Sequence, residues 1–384
     1  MRTISRLRIT IGLLLCIAIA ASIVLIGGLG TVRTAFADSF FSPFLPLQVS
    51  TVPSNGDTTP YGLASVPEDF ESHVVSTGEL LVSNFNSSTT PGQGTTIITV
   101  NPKNGQTGLF FQGTSSIGFT NALTIAKVGL VFAGSLPTSG GVAEPGPLLV
   151  LDRNGSNPPL MQLSSHELVD GPWGMALNDR DGTAQLFVSN IFDTKGNFAG
   201  SITRLDVLLS PSGITVMKAI TIAHGYTSAP DTAGTVVGPA GLAYDRENDI
   251  LYVAAEGDDA IYKLKGAGHA TSDLGTKGDV VFNDQTVLHG PLGLIFAPNG
   301  DLITANADPA AFPPSATDPS EIIEITPSGT FVRKFSIDPN PGAAFAVLIN
   351  PKDHRFEQFV YVDDFVSNCT IWNLPTNVRF DKAD

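Results

Sequence analysis

The stretch GPAGLAY, residues 238 to 244, decides the fold because it is written three times. GPWGMAL stands at 171 to 177 and GPLGLIF at 290 to 296. Weaker copies are Pro60-Tyr61-Gly62-Leu63, Thr120-Asn121-Ala122-Leu123 and Gly342-Ala343-Ala344-Phe345-Ala346. Six copies at intervals of about 50 to 67 residues fill the chain from residue 58 to its end.

Each anchor is followed by a short apolar, β-rich run. The runs are LLVSN from Leu80, LVFAG from Leu130, LFVSN from Leu186, LYVAA from Leu251, LITAN from Leu302 and FVYVD from Phe359. A third strand comes next, at 95–102, 147–153, 201–207, 260–266, 321–327 and 369–374. Turn pairs such as Asn104-Gly105 and Ser328-Gly329 then lead to a fourth, for example Thr330 to Ile337. Four antiparallel strands per unit of about 50 residues predict a blade, and six units predict an all-β, six-bladed β-propeller. In such a ring the anchors lie innermost. Glycine allows close backbone approach there, and proline is tolerated on an edge strand. The last unit has three clear strands, so Leu45 to Val52 is expected to supply its outer strand and close the ring.

The units resemble NHL-type repeats, in which GPxGLAxD leads to an LYVAD-like strand. Gly238 to Asp245 followed by Leu251 to Ala255 carries the match, strongly in units 3 to 5 and weakly in the others. The resemblance implies a six-bladed propeller and little about chemistry.

Residues 1–37 stand apart from this pattern. Arg2, Arg6 and Arg8 precede an apolar run from Ile9 to Gly30, and Ala35-Phe36-Ala37 follows. A cleaved secretory signal and an uncleaved membrane anchor through residues 9–30 both fit. Either places residues 38–384, a single propeller domain, outside the cytoplasm. The leading segment holds four arginines and no acid, so the remainder keeps 17 basic and 36 acidic residues, a net of −19. Such a surface argues against nucleic acid as a partner. Cys369 is alone in the exported part, so no internal disulfide forms there, and neither a Cys/His metal motif nor a GxSxG nucleophile motif occurs.

Loop lengths point to a working face. The loops between second and third strands, and the crossing from His224 to Val237, are long, whereas the opposite turns are mostly short. Asn84, Asn190, Glu256, Asn306 and Asp364 end second strands on the long-loop side, and Trp173 and His289 flank Gly-Pro pairs there. These seven residues form the predicted ligand-binding mouth. Glu256, Asn190, Asn306 and Asp364 offer oxygens suited to Ca²⁺ or another divalent cation.

The leading expectation is an exported, monomeric, non-catalytic propeller that binds a protein or small molecule on the long-loop face. One alternative is a divalent-metal-dependent hydrolase similar to gluconolactonase-type propellers, whose usual glutamate on the first inner strand has no counterpart in Tyr61-Gly62-Leu63-Ala64. The other is a cell-surface adhesion module.

Overall fold

The computed structural model describes residues 45–163, 169–231, 235–306, 319–352 and 355–374. The expected signal or anchor, residues 1–37, lies outside them. Among the described residues no helix is long and apolar enough to cross a membrane.

Six four-stranded antiparallel sheets follow one another along the chain. Blade 1 is Thr58–Ser65, Leu80–Asn86, Thr96–Val100 and Thr107–Gln112. Blade 2 is Phe119–Ala126, Leu130–Ser135, Leu148–Asp152 and Met161–Leu163. Blade 3 is Pro172–Asp179, Thr183–Phe192, Phe198–Ser210 and Gly213–Tyr226. Blade 4 is Pro239–Asp245, Ile250–Ala255, Ala260–Lys265 and Asp279–Phe282. Blade 5 is Leu294–Phe296, Leu302–Asn306, Ser320–Ile325 and Phe331–Asp338. Blade 6 is Ala344–Lys352, Arg355–Asp363 and Asn368–Asn373, completed by Leu47–Ser50. The chain is a six-bladed β-propeller, closed as the sequence predicts. Leu47 pairs with Ile371 and Ser50 with Asn368, and the Thr51 amide then donates to the Ser367 carbonyl at 2.8 Å.

The repeated glycines sit where neighbouring inner strands touch backbone to backbone. A Cβ on Gly174 would lie 1.9 Å from the Ala240 carbonyl oxygen of the next blade. On Gly241 it would lie 2.2 Å from the Leu292 oxygen, and on Gly293 2.6 Å from the Phe345 oxygen. Close approach, not backbone handedness, is what demands glycine at these three positions.

Polar bonds stitch the same seams. Ser83 Oγ donates to the Thr120 carbonyl at 3.2 Å, Thr120 Oγ1 to the Pro172 carbonyl at 2.7 Å, and Ser189 Oγ to the Ala240 carbonyl at 2.9 Å. The Gly241 and Gly293 amides reach Leu292 at 2.8 Å and Phe345 at 3.1 Å. Aromatic pairs bind the blades further out: Phe111 on Phe119, Phe187 on Tyr244, Tyr252 on Phe296 and Phe335 on Phe359. The apolar clusters accordingly run between successive blades.

Proline and its follower also bend the inner strands. The register slips between Pro60 and Gly62, between Pro172 and Gly174, and between Pro239 and Leu242. These are β-bulges, which re-aim a side chain. In blade 5 the ladder begins only at Leu294, after the Gly-Pro-Leu-Gly segment.

Two stretches expected to be plain loops contain small hairpins instead. Thr138–Ser139 pairs with Val142–Ala143, and Ala229–Asp231 with Thr235–Val237. Both stand on the long-loop face, where inner strands start and second strands end.

Candidate functional site

At the long-loop end the bulged residues fill the axis. Tyr61 stacks on Phe345 at 3.7 Å and on Phe85 at 4.6 Å. Trp173 meets Tyr61 edge-on at 5.8 Å and Phe85 at 6.1 Å. All four are buried. Such pairs add about 0.5–1.5 kcal/mol each beyond area burial, so the four rings make a firm plug.

One carboxylate is buried beside this plug. The second strand of blade 4 ends at Ala255, the partner of Pro239. The chain then makes one 3₁₀ turn, Glu256–Asp258, and leaves it through Asp259 at φ 48°. Glu256 is 0% exposed. Its Oε2 accepts from Trp173 Nε1 at 3.3 Å and from the Gly238 amide at 3.2 Å. Asp258 Oδ1 accepts from Thr227 Oγ1 at 2.6 Å and pairs with Lys277 Nζ at 2.8 Å. Asp259 Oδ1 accepts from the Gly290 amide at 2.8 Å. Burial pushes the Asp259 carboxyl up, while the Gly290 amide and neighbouring His289 pull it down.

The structure thus brings Trp173 and Glu256 together and places His289 near Asp259. The three asparagines face elsewhere. Asn84 Nδ2 donates to the Thr51 carbonyl at 3.1 Å and to Thr96 Oγ1 at 3.2 Å. Asn190 Nδ2 donates to Thr203 Oγ1 at 3.1 Å, and its Oδ1 accepts from the Asp170 amide at 3.2 Å. Asn306 Nδ2 donates to the Val287 carbonyl at 3.0 Å, and its Oδ1 accepts from the His289 amide. Each amide ties a strand end to neighbouring strands or crossings.

The ladders show why these residues differ from Glu256. Asn84 pairs with Pro60, Asn190 with Pro172 and Asp363 with Ala344, the place that Ala255 holds in blade 4. Glu256 is one residue later, as are Phe85 in blade 1 and Asp364 in blade 6. Phe85 and Glu256 both touch Trp173, so this later position is the axial one. Asp364 is half-buried, and its amide donates to the Ala343 carbonyl at 2.9 Å. His224 is not at the axis. Its Nδ1 lies 2.7 Å from Asp273 Oδ2, with the imidazole more than half exposed.

For a divalent cation the donors fit only in part. Among the described residues no group of three or more His, Cys, Asp or Glu gathers as a metal cluster. Asn190 and Asn306 have turned their oxygens to backbone amides. Glu256, with Asp364 in the matching place on blade 6, is the remaining set. One or two carboxylates with retained waters suit a hydrated, Mg²⁺-like ion better than a caged Ca²⁺.

The ring and this axial carboxylate can now be set beside known proteins. No protein-family model matches the sequence, and no curated protein matches it. Solved structures do. One protein provisionally assigned as a gluconolactonase is 15% identical, covers 88% of this chain and 95% of its own, and has a TM-score of 0.53. A gluconolactonase from Xanthomonas campestris is 12% identical over 86% of this chain and 90% of its own, also at 0.53. A calcium-binding regucalcin from Agrobacterium tumefaciens is 10% identical over 89% of this chain and 97% of its own, at 0.49.

The chain shares its fold with the first two of these structures. That finding corrects the expectation of a binding module without catalysis, because the fold's solved neighbours favour the enzyme alternative. The NHL-type resemblance rests on the repeat residues alone.

Two features of the site escaped the sequence reading. Asp259 follows an unremarkable Gly-Asp pair and becomes significant only through the 3₁₀ turn. The plug had a visible signal: Tyr61, Trp173 and Phe345 share the variable slot of the repeated motif.

Proposed function

We propose that the chain is a hydrolase of lactones or related small esters, with its reaction centre around Glu256 at the long-loop end of the channel. The observation that carries this reading is the Glu256 carboxylate. It is fully buried at the axis and fixed by the Trp173 indole and the Gly238 amide. Burying a carboxylate costs several kcal/mol, and a propeller hub needs no charge there. Buried, oriented carboxylates of this kind mark functional sites. The architecture common to the two gluconolactonases supports the same reading.

Glu256 and Asp364 are the residues that would hold a divalent cation. When bound, such an ion polarises a carbonyl and lowers the pKa of water. Asn190 and Asn306, the other two donors suggested by sequence, would join only by releasing the Asp170 and His289 amides. Trp173 and Gly238 orient the Glu256 carboxylate. Asp259, raised by burial and adjacent to His289, is placed to hold or pass a proton at its carboxyl. NHL-like repeats and an extracytoplasmic location belong to this reading, supported by Gly238 to Asp245 and by residues 1–37.

The test is proton release from a panel of lactones and aryl esters by the purified protein, with Mg²⁺, Ca²⁺, Mn²⁺ or a chelator present. Turnover that Glu256→Gln removes while the melting temperature holds is the expected result. Absence of turnover on every substrate with every ion rejects the proposal. Full activity in Glu256→Gln rejects the assigned centre.

A further inference from the structure

The turn that presents Glu256 is held from the outer part of its own blade. The connection between the third and fourth strands of blade 4, residues 266–278, is long, where blade 3 needs only Pro211 and Ser212. It packs on blade 3 before it returns. The Leu274 amide donates to the Ile222 carbonyl at 2.9 Å, and the Tyr226 hydroxyl donates to the Lys277 carbonyl at 2.9 Å. Lys277 Nζ then reaches Asp258 Oδ1 at 2.8 Å and stands 5.9 Å from the centre of the Tyr262 ring.

Asp258 depends on that contact. Its side chain is 8% exposed. Oδ2 is buried and has no partner among the described residues. Oδ1 therefore carries the anchor, accepting from Thr227 Oγ1 at 2.6 Å and from Lys277. A buried pair of this kind adds little net stability, yet removing one partner strands the other charge. The turn also crowds three carboxylates, Glu256, Asp258 and Asp259, into four residues, and like charges so close repel. The Lys277 ammonium opposes that repulsion at the middle of the three. Joining two adjacent strands needs no such detour, so the long connection has a use beyond closing the blade.

We propose that Lys277 is a positioning residue for the Glu256 centre: by anchoring Asp258 it fixes the 3₁₀ turn, and with it the Glu256 carboxylate against Trp173. The chemical role of the turn rests on the hydrolase reading; the way the turn is held does not.

The test uses the full chain and follows the Trp173 indole proton, which is bonded to Glu256, by nuclear magnetic resonance. The chain has two tryptophans, and Trp372→Phe tells which signal is Trp173. Lys277→Met keeps the stem and removes the charge, so the Trp173 proton should exchange with water about tenfold faster or more. Lys277→Arg, whose fork can serve both Asp258 oxygens, should stay within about threefold of the parent rate. The double variant Lys277→Met with Asp258→Asn leaves no stranded charge. It should regain the parent's melting temperature without regaining slow exchange. On an ester that the parent hydrolyses, both Met variants should lose kcat about tenfold or more with KM within about twofold, the mark of misplacement rather than lost binding. Where Lys277→Met does not fold, the double variant decides. Slow exchange kept in folded Lys277→Met, or present in the double variant, overturns the anchor. Fast exchange with kcat unchanged overturns the positioning role. Absence of turnover by the parent rejects the hydrolase reading, and the exchange rates still decide whether Lys277 holds the turn.

Discussion

Replacing Gly174 by alanine tests the hub directly. The new Cβ would lie 1.9 Å from the Ala240 carbonyl oxygen, more than an ångström inside the 3.0 Å that real Cβ contacts respect. That neighbour is backbone in the adjacent blade, so no side chain can swing aside. Separating the strands costs about 1–3 kcal/mol as overpacking. Two hydrogen bonds are strained as well, Ser189 Oγ to the Ala240 carbonyl at 2.9 Å and the Gly174 amide to Ser189 Oγ at 2.8 Å, each worth about 1 kcal/mol. The expected loss is about 3–5 kcal/mol, or about 4–7 °C in melting temperature for a propeller of this length. Gly182→Ala is the control. Its φ is +87° with no atom within 4 Å of the new Cβ, so only the left-handed backbone penalty of about 1–2 kcal/mol applies. Thermal and guanidinium unfolding would rank the two. A Gly174→Ala protein melting within about 2 °C of the parent, or below the control by nothing measurable, would refute backbone contact at the axis.

Three further outcomes are expected. The Asp363 carboxyl is raised from 3.8 to about 6, chiefly by burial and with nearby Asp338 adding to it. Its stabilising contribution is therefore complete below about pH 4 and is lost as pH rises through 6. Asp363→Asn should flatten that slope and add about 1 kcal/mol at pH 7.5, after allowance for solvent screening; an unchanged slope in urea titrations from pH 4 to 8 would contradict it. Burial holds Cys369 at 0% exposure and pushes its thiol up to about 12, so in a Cys16→Ser background no thiol should react with a disulfide reagent until the protein unfolds. Deleting residues 38–50 removes the four-pair ladder between Leu47–Ser50 and Asn368–Asn373 and leaves a raw edge. Stability should fall by about 3 kcal/mol or more, with new association visible in light scattering.

The fold was readable because a propeller repeats its constraints. A glycine must recur wherever inner backbones meet, and Gly174, Gly241 and Gly293 announce that in the sequence. The missing outer strand of blade 6 was readable by counting, since only Leu45 to Val52 could fill it. The site was legible in part. Asparagine and aspartate at strand ends look alike in sequence whether they face an axis or a crossing, and one residue of register separates the two. Asn190 and Glu256 fall on opposite sides of that step because Ala255 occupies the asparagine place in blade 4. The orientation of Tyr61 and Trp173 was hidden for another reason: a large residue after proline packs equally well between blades, and only the bulge turns it to the centre.

The closing ladder has one practical consequence. Leu47 opens the final strand, and Asn373 ends its neighbour, on the side where inner strands finish. A bead, tag or lipid leash joined ahead of Leu47 or beyond Leu374 would therefore hang from the rim of the short-turn side and leave the Glu256 side looking outward. Protein immobilised through either end should keep the access to the Glu256 side that it has in free solution.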